Sequence, residues 1–328
     1  MKQQKTLKSS HRHGFLTFAK REINRQSRNG HISVANNYQS AYNSFVRFLL
    51  SIDKTDVTLK KLTPQLISDY EAWLCTDGLC RNTTSFYLRT LQSIYHKAVR
   101  QGLTDDRHPF SDTYRGVAKT IKRAIKPNEV CLLQSLDIHS ALIRQGYTGR
   151  RLYKLHRQLE LARDIFIFCF CARGLTFVDL AHMRKSNIAD GMLTYVRRKT
   201  KQRMEVCVEP MMQEILLRHP SHTDYLLPIL TKTKDPQAVF NQYRYALARY
   251  NNSLKQLGEM IGGLKLTSYV SRHSWASAAH QQHVPLSVIS QSMGHDSEKT
   301  TEIYLKSLEC NVINKTNHEL LTNIFNIK

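Results

Sequence analysis

The sequence is poor in acidic residues and has no long apolar run. Asp and Glu number 26 against 48 Lys and Arg in 328 residues, which gives a formal net charge of +22. Such an excess of dispersed positive charge is typical of proteins that neutralise phosphates, so we expect a polyanionic partner, with nucleic acid the leading class. An anionic membrane surface is the rival, but no apolar run reaches 18 residues and neither end shows a lipidation signal. We therefore expect no membrane partner.

Closely spaced cysteine pairs are also missing. The seven cysteines are odd in number, and none forms a C-x-x-C pair. This pattern argues against a disulfide framework and predicts no metal site. Cys169 and Cys171 lie in the apolar run 165–172, so we expect them to be buried free thiols. Because residues 1–12 are polar and basic, without an apolar stretch of the signal-peptide type, we expect a reduced, cytoplasmic protein.

Helical patterns dominate the first third of the chain. Four segments carry apolar residues at helical spacing, with predicted starts at Gly14, Ser33, Thr63-Pro64 and Asn82. They predict a small bundle of four helices over residues 1–112, and we expect its tyrosines to lie in the core. A stretch with scattered Pro, Gly and Lys follows, which predicts a basic linker over 113–130.

The remaining residues, 131–328, predict a second and mainly helical domain. Residues 155–172 form a long pattern that is almost entirely apolar in its second half, typical of a central buried helix. Residues 192–196 and 204–208 alternate like strands on either side of the basic run 197–203, which predicts a hairpin with a basic tip. The predicted fold class is therefore mainly α (α+β), with two helical domains and a small antiparallel β-sheet.

Three blocks in the second domain hold residues suited to phosphodiester exchange: 268–277, 292–295 and 300–305. Exchange without net loss of bond energy needs a recoverable nucleophile, and a tyrosine phenolate is both nucleophile and leaving group. Charge that develops on the phosphate needs rigid cationic donors, and the departing oxygen needs a proton, so no metal or cofactor is required. The residues that supply such a set, in chain order, are Arg173, Lys199, Arg272, His295 and Tyr304.

These blocks resemble a known family. The run that begins at Arg272 (RHSWAS), the Met-Gly-His that ends at His295, and Tyr304 nine residues later look like the C-terminal signature of the tyrosine recombinase/phage integrase family. The residues in these blocks are similar to those of integrases of Bacteroides mobile elements and of DNA invertases. The resemblance covers nearly the whole chain and implies a SAM-like core-binding domain over 1–112 and a catalytic domain over 131–328.

The resemblance also implies roles for single residues. Tyr304 would be the nucleophile that forms a 3'-phosphotyrosine, Arg272 would clamp the scissile phosphate, and His295 would donate a hydrogen bond to it. Lys199 would be the general acid for the leaving 5' oxygen, with Lys201 and Arg198 as nearby substitutes. His273 directly follows Arg272, so on a helix it points about 100° away and is expected to be a buried structural residue.

Two positions depart from the family pattern. Tyr269 stands where most members have a His, and it serves either as a neutral hydrogen-bond donor or only as a structural residue. Thr176 stands where the first Arg is expected, and Arg173 lies three residues earlier, one turn away if the segment is helical. We expect Arg173 to supply the missing charge, unless it pairs with Asp179 or caps the preceding helix. Asp179 is expected to support the site without acting as a catalytic acid.

Double-stranded DNA with inverted-repeat sites is the expected partner, and the expected reaction is integration, excision or inversion of DNA. We expect a homotetramer on DNA that is held through the C-terminal tail, residues 310–328. Relaxation of DNA by a type IB topoisomerase, or a decayed relative that only occupies its site, stay open as alternatives. The basic residues expected to contact phosphates are Lys119, Lys122, Arg123, Lys126, Arg198, Lys201 and Arg203.

Overall fold

The structure is a computed structural model that describes residues 14–118, 123–231, 233, 235–295, 297–298 and 301–302. The chain divides after Thr120 into two compact units. Both units are mainly helical and the second holds a small antiparallel sheet, so the predicted fold class is confirmed. Within the described residues, no helix combines the length and the apolar character that crossing a membrane requires.

Four α-helices make up most of the first unit, as the apolar spacing predicts. They are α1 (Phe15–Arg28), α2 (Ile32–Ser51), α3 (Pro64–Thr76) and α4 (Arg81–Arg100). Asp56 fixes the start of α1, because its carboxylate accepts hydrogen bonds from the backbone N–H groups of Leu16 at 2.9 Å and Thr17 at 3.3 Å. A carboxylate at this position also opposes the positive end of the helix dipole.

Aromatic side chains fill the core of this unit. Phe15 and Tyr70 both meet Phe45 edge to face, with ring centroids 5.7 Å and 5.0 Å away. The Tyr70 hydroxyl donates to Ser44 Oγ at 2.8 Å, and burial raises the pKa of this phenol. Tyr95 is fully buried as well. These tyrosines therefore belong to the core, as expected.

Helix starts follow the sequence signals only in part. Thr63 caps α3 as predicted, because its hydroxyl accepts from the N–H of Leu66 at 3.3 Å. The predictions for Ser33 and Asn82 are wrong, since α2 begins at Ile32 and α4 begins at Arg81. The Asn82 amide instead exchanges two hydrogen bonds with the backbone of Ala118, at 2.8 and 3.1 Å. The Asn82 side chain therefore bonds to a residue distant in sequence, although its residue type and position predict a helix cap.

The second unit contains eight α-helices and three strands in the part of the chain that is described. Its helices are α5 (Pro127–Gln134), α6 (Ile138–Arg144), α7 (Gly149–Cys171), α8 (Phe177–Ala181), α9 (Pro210–Arg218), α10 (Pro236–Met260), α11 (Val270–Gln281) and α12 (Leu286–Met293). Residues 123–126 lead into α5 and belong to this unit, since Ile125 is buried in its core and its N–H donates to Ser274 Oγ on α11 at 2.9 Å. Helix α5 crosses residue 130, where the sequence places the end of the linker.

The sheet consists of β1 (Ile188–Ala189), β2 (Met192–Val196) and β3 (Arg203–Cys207), antiparallel in the order β1-β2-β3. Leu193 pairs with Val206, and Tyr195 with Met204; all four side chains are buried, while their neighbours along β3 are exposed. This alternation confirms the predicted hairpin, with residues 197–202 as its tip.

Helix α7 is the central helix of the second unit, and its residues 165–169 are buried. They include Cys169, whose thiol has a pKa raised by burial. Asp164, in the same stretch, is buried beside three partners: Arg163 Nε at 2.9 Å, Arg218 Nη1 at 2.6 Å and His219 Nε2 at 2.8 Å. Burial alone would raise the pKa of this carboxyl, but hydrogen bonds from these partners outweigh it and lower the pKa to about 2.

Candidate active site

Arg272 lies at the centre of the predicted site. It is on the first turn of α11 with only 4% of its surface exposed. Nη1 donates to the carbonyl of Gly174 at 2.7 Å, and Nη2 donates to the carbonyl of Met293 at 2.6 Å. Nη2 also lies 3.0 Å from His295 Nε2. The guanidinium therefore joins the loop after α7 to the end of α12, and it brings the predicted pair Arg272 and His295 together.

Gly174 permits this close approach of the loop to Arg272. Its φ is +73°, in the left-handed region, and a Cβ there would lie 3.0 Å from both Cα and Cγ of Arg272. Arg173 before it also has a positive φ, of +57°. Since α7 ends at Cys171, the segment is not helical, and the expected one-turn spacing between Arg173 and Thr176 is wrong.

His295 is held in one tautomer by its two neighbours. An arginine can only donate, so Nε2 accepts from Arg272. The proton of the neutral ring is then on Nδ1, which donates to Thr301 Oγ1 at 2.7 Å. Burial, followed by the charges of Arg272, Arg197 and Lys199, lowers the pKa of His295 to about 4. The imidazole is therefore neutral near pH 7, with Nε2 as an acceptor.

Arg197 is a second buried arginine at this site that sequence reasoning missed. It is 5% exposed, and its Nη1 donates to the carbonyl of Met293 at 2.8 Å and to that of Gly294. A sequence signal for it existed. In β2 the inward positions are Leu193 and Tyr195, and the period of two makes Arg197 the next inward residue, although it begins the basic tip.

Asp179 connects Thr176 to the hairpin. Its carboxylate accepts from Thr176 Oγ1 at 2.6 Å and from the backbone N–H of Arg198 at 2.9 Å, and it lies 3.8 Å from Arg197 Nε. Thr176 also caps α8. Asp179 thus fixes the backbone next to Lys199, and its ion-pair partner is Arg197.

Arg173 is half-buried, and its Nη1 donates to the carbonyl of Glu205 on β3 at 3.5 Å. The cations close enough to lower the pKa of His295 are Arg272, Arg197 and Lys199. Lys199 itself is exposed in the hairpin tip, beside Thr200, whose hydroxyl donates to the carbonyl of Gly294 at 3.3 Å.

The other predicted positions are scattered around this centre. Tyr269 precedes α11 and is 52% exposed, and His273 is buried as expected. Arg203 pairs with Glu205, with Nη2 2.9 Å from the carboxylate. Three predicted residues lie outside the described part of the chain, and five of the predicted phosphate contacts are exposed. The first three are Tyr304, Lys119 and Lys122; the exposed five are Arg123, Lys126, Arg198, Lys201 and Arg203.

Family comparisons match this architecture in both units. Residues 14–115 match the phage integrase SAM-like domain, and residues 151–310 match the phage integrase family. The chain belongs to the phage integrase family. It is therefore a site-specific recombinase of the tyrosine type. The comparison with curated protein sequences finds no match.

Solved structures with the integrase fold agree. A lambda integrase tetramer bound to a Holliday junction matches with a TM-score of 0.59 at 15% identity, covering 89% of this chain and 77% of that one. XerH recombinase bound to its difH substrate gives a TM-score of 0.54 at 15% identity, with 82% and 75% covered. The Tn1549 transposon integrase in complex with a circular intermediate DNA gives 0.54 at 12%, with 92% and 99% covered. At these identities the likeness shows a common fold.

Proposed function

We propose that this recombinase cleaves DNA through Tyr304, with Arg272 and Arg197 as the pair of arginines that holds the scissile phosphate. The observation that supports this proposal most directly is their convergence on the carbonyl of Met293, next to His295. In the cleavage step the Tyr304 hydroxyl gives up its proton as its oxygen forms a bond to phosphorus, and the bond from phosphorus to the 5' oxygen breaks as that oxygen takes up a proton. The 3' end stays on the enzyme, so a 5' hydroxyl can later reverse the reaction.

The two arginines suit the phosphate because their orientation is already fixed. Each guanidinium has five N–H donors in one plane, so a phosphate can share them with the carbonyl oxygens that hold them. Donors that need no reorganisation stabilise developing charge most effectively. Arg173, which donates to the carbonyl of Glu205 on β3, is the alternative to Arg197.

Protons need two further groups. We assign Lys199 as the acid that protonates the leaving 5' oxygen, since it is exposed in the tip and its charge acts on His295. Lys201 and Arg198 are its substitutes. His295 accepts at Nε2 without DNA, and a bound phosphate anion would favour its protonated form, which can donate from Nε2. Tyr269, at the start of the helix that bears Arg272, would be a neutral donor.

Beyond the chemistry, we propose that residues 1–112 bind DNA as a core-binding domain, with 113–130 as a basic linker and 131–328 as the catalytic domain. Helix α4 has exposed Arg89, Ser93 and Arg100 along one face, which fits a phosphate contact.

We further propose inverted-repeat sites, a cytoplasmic setting and a tetramer that is held by residues 310–328. Deletion of those residues should then prevent tetramer assembly on DNA while leaving single-site binding intact.

Covalent trapping tests the central proposal. The full chain is incubated with nicked duplexes that span the inverted repeats beside its gene, and adducts are separated on a denaturing gel. We expect a protein–DNA adduct with the wild type and none with Tyr304→Phe, which differs by one oxygen atom. Binding without any adduct would overturn the proposal and favour a site-occupying protein. Relaxation of plasmids regardless of sequence would favour a topoisomerase.

A further inference from the structure

A cavity of about 410 Å³ opens in the second unit, and its volume is in the range of small-molecule sites. Its walls come from α7, the start of α8, the segment after α9, and α10. None of the described residues that line it belongs to the candidate active site, although Phe177 directly follows Thr176. The function proposed above therefore does not account for this cavity.

The rim of the cavity is positively charged. Lys154, Arg157 and Arg249 line it with exposed side chains, and Arg218 joins them while it pairs with Asp164. No Asp or Glu is among the described residues that line the cavity. Four cations gathered around one opening without a lining carboxylate favour an anionic ligand.

The floor is largely apolar, and of the two buried hydroxyls on residues that line the cavity, that of Ser253 is paired, since it accepts from Gln158 Nε2 at 2.9 Å. Leu161, Ile165 and Phe177 line it, and the ring of Tyr250 stacks on Phe177 with centroids 4.6 Å apart. Tyr250 is 4% exposed, and its Oη has no hydrogen-bond partner among the described residues. Buried hydroxyls are almost always paired, so an unpaired one in the wall of a cavity favours a ligand with a polar atom.

We propose that this cavity binds a nucleotide, with its phosphate among the rim cations and its heterocyclic base on the apolar floor beside Tyr250 Oη. Inorganic phosphate would use the rim and leave the floor empty. A fatty acid would fill the floor and leave the hydroxyl unpaired. A base has a flat apolar face and polar edges, so it satisfies both parts. The nucleotide comes either free from solution or as the terminal nucleotide of a DNA strand.

Calorimetric titration of the full chain with ADP at low salt tests the proposal. We expect saturable binding at one site, weakened at least tenfold by Tyr250→Phe and by the double change Arg157→Gln with Arg249→Gln. Lys255→Gln, an exposed position on the same helix α10 outside the cavity, should bind like the wild type. Tyr250→Phe removes only an unpaired oxygen atom, and circular dichroism should show an unchanged fold.

A second titration, with a short single-stranded oligonucleotide, separates the two sources. Dependence on Tyr250 for ADP supports a free nucleotide, and dependence for the oligonucleotide alone supports a strand end. Binding that ignores both cavity variants, or no binding of either probe, would overturn the proposal. So would ADP binding that occurs only after deletion of residues 310–328, because the occupant would then be the chain's own tail.

Discussion

Arg197 and Arg272 donate hydrogen bonds to the same carbonyl oxygen, that of Met293, at 2.8 Å and 2.6 Å. One arginine comes from the hairpin tip and the other from α11. The shared acceptor sits at the end of α12, two residues before His295. The hairpin, the helix and the histidine are thus fixed to one another through a single peptide group.

This arrangement predicts which arginine replaces the family's first Arg. Arg197→Gln should lower the rate of single-turnover cleavage by about 10²- to 10³-fold, as expected for loss of one preorganised donor. Arg173→Gln, at the position that the sequence favours, should have a smaller effect. Arg144→Gln removes an exposed charge at the end of α6, away from the site, and serves as the control. If Arg173→Gln lowered the cleavage rate more than Arg197→Gln, Arg173 would be the residue that replaces the family's first Arg.

Thr301 should act as a positioning residue for His295. Thr301→Val keeps the shape but removes the acceptor for Nδ1–H, so the imidazole loses its fixed tautomer. We expect cleavage to slow about tenfold, the equivalent of about 1.4 kcal/mol, with DNA binding unchanged. Thr301→Ser retains a hydroxyl and should restore most of the rate. A purely packing role would be indicated if Ser and Val were equally slow.

The lowered pKa of His295 predicts a pH dependence of stability. The unfolded chain takes up a proton at this residue as the pH falls through about 6.5, whereas the folded chain stays neutral there until about pH 4. The contribution of the neutral His295 to the free energy of unfolding is therefore fully present above pH 6.5 and is lost as the pH falls from 6.5 to 4. The loss is at most about 1.4 kcal/mol per pH unit, and it is smaller here because the ring is only half-buried.

Urea unfolding at several pH values measures this dependence. The free energy of unfolding of His295→Gln should fall less steeply than that of the wild type between pH 6.5 and 4. Equal slopes in the two proteins would contradict a neutral, half-buried His295.

Gly174 offers a test of the close approach to Arg272. Gly174→Ala adds a Cβ that meets Arg272 at 3.0 Å in a left-handed backbone, so both strain and overpacking apply. We expect a loss of about 2–4 kcal/mol in the free energy of unfolding, together with impaired cleavage.

Gly191→Ala is the matched control for this substitution. Gly191 has a φ of +72° but nothing within 4 Å of the added Cβ. It should lose about 1 kcal/mol from backbone strain alone, with cleavage unaffected. Equal losses for the two variants, measured by chemical unfolding, would mean that the contact with Arg272 adds nothing.

Much of this fold could be predicted because its signals are local. Apolar spacing located the helices of both units, and strict alternation located the hairpin. The pair of Arg272 and His295 came from a motif, and the structure brings these residues within 3.0 Å. Arg197 could have been found by extending the alternation of β2 by one step, but its basic neighbours made the whole tip look solvated.

Other features depend on contacts that local rules do not contain. Asn82 has the residue type of a helix cap, yet Ala118 takes its amide. Apolar residues continue past Cys171, so the apolar pattern does not show that α7 ends there. The sequence therefore suggested a helical segment in which Arg173 would lie one turn from Thr176. The tautomer of His295 depends on Thr301 and Arg272 together, so it follows only from their positions in space.

The contacts among Arg197, Asp179, Arg272 and His295 are all made inside the second unit. These contacts should therefore survive when the first unit is exchanged. If residues 1–112 bind DNA as proposed, a chimaera that keeps residues 121–328 and takes its first unit from another integrase should still form a phosphotyrosine, but with an altered choice of DNA sites.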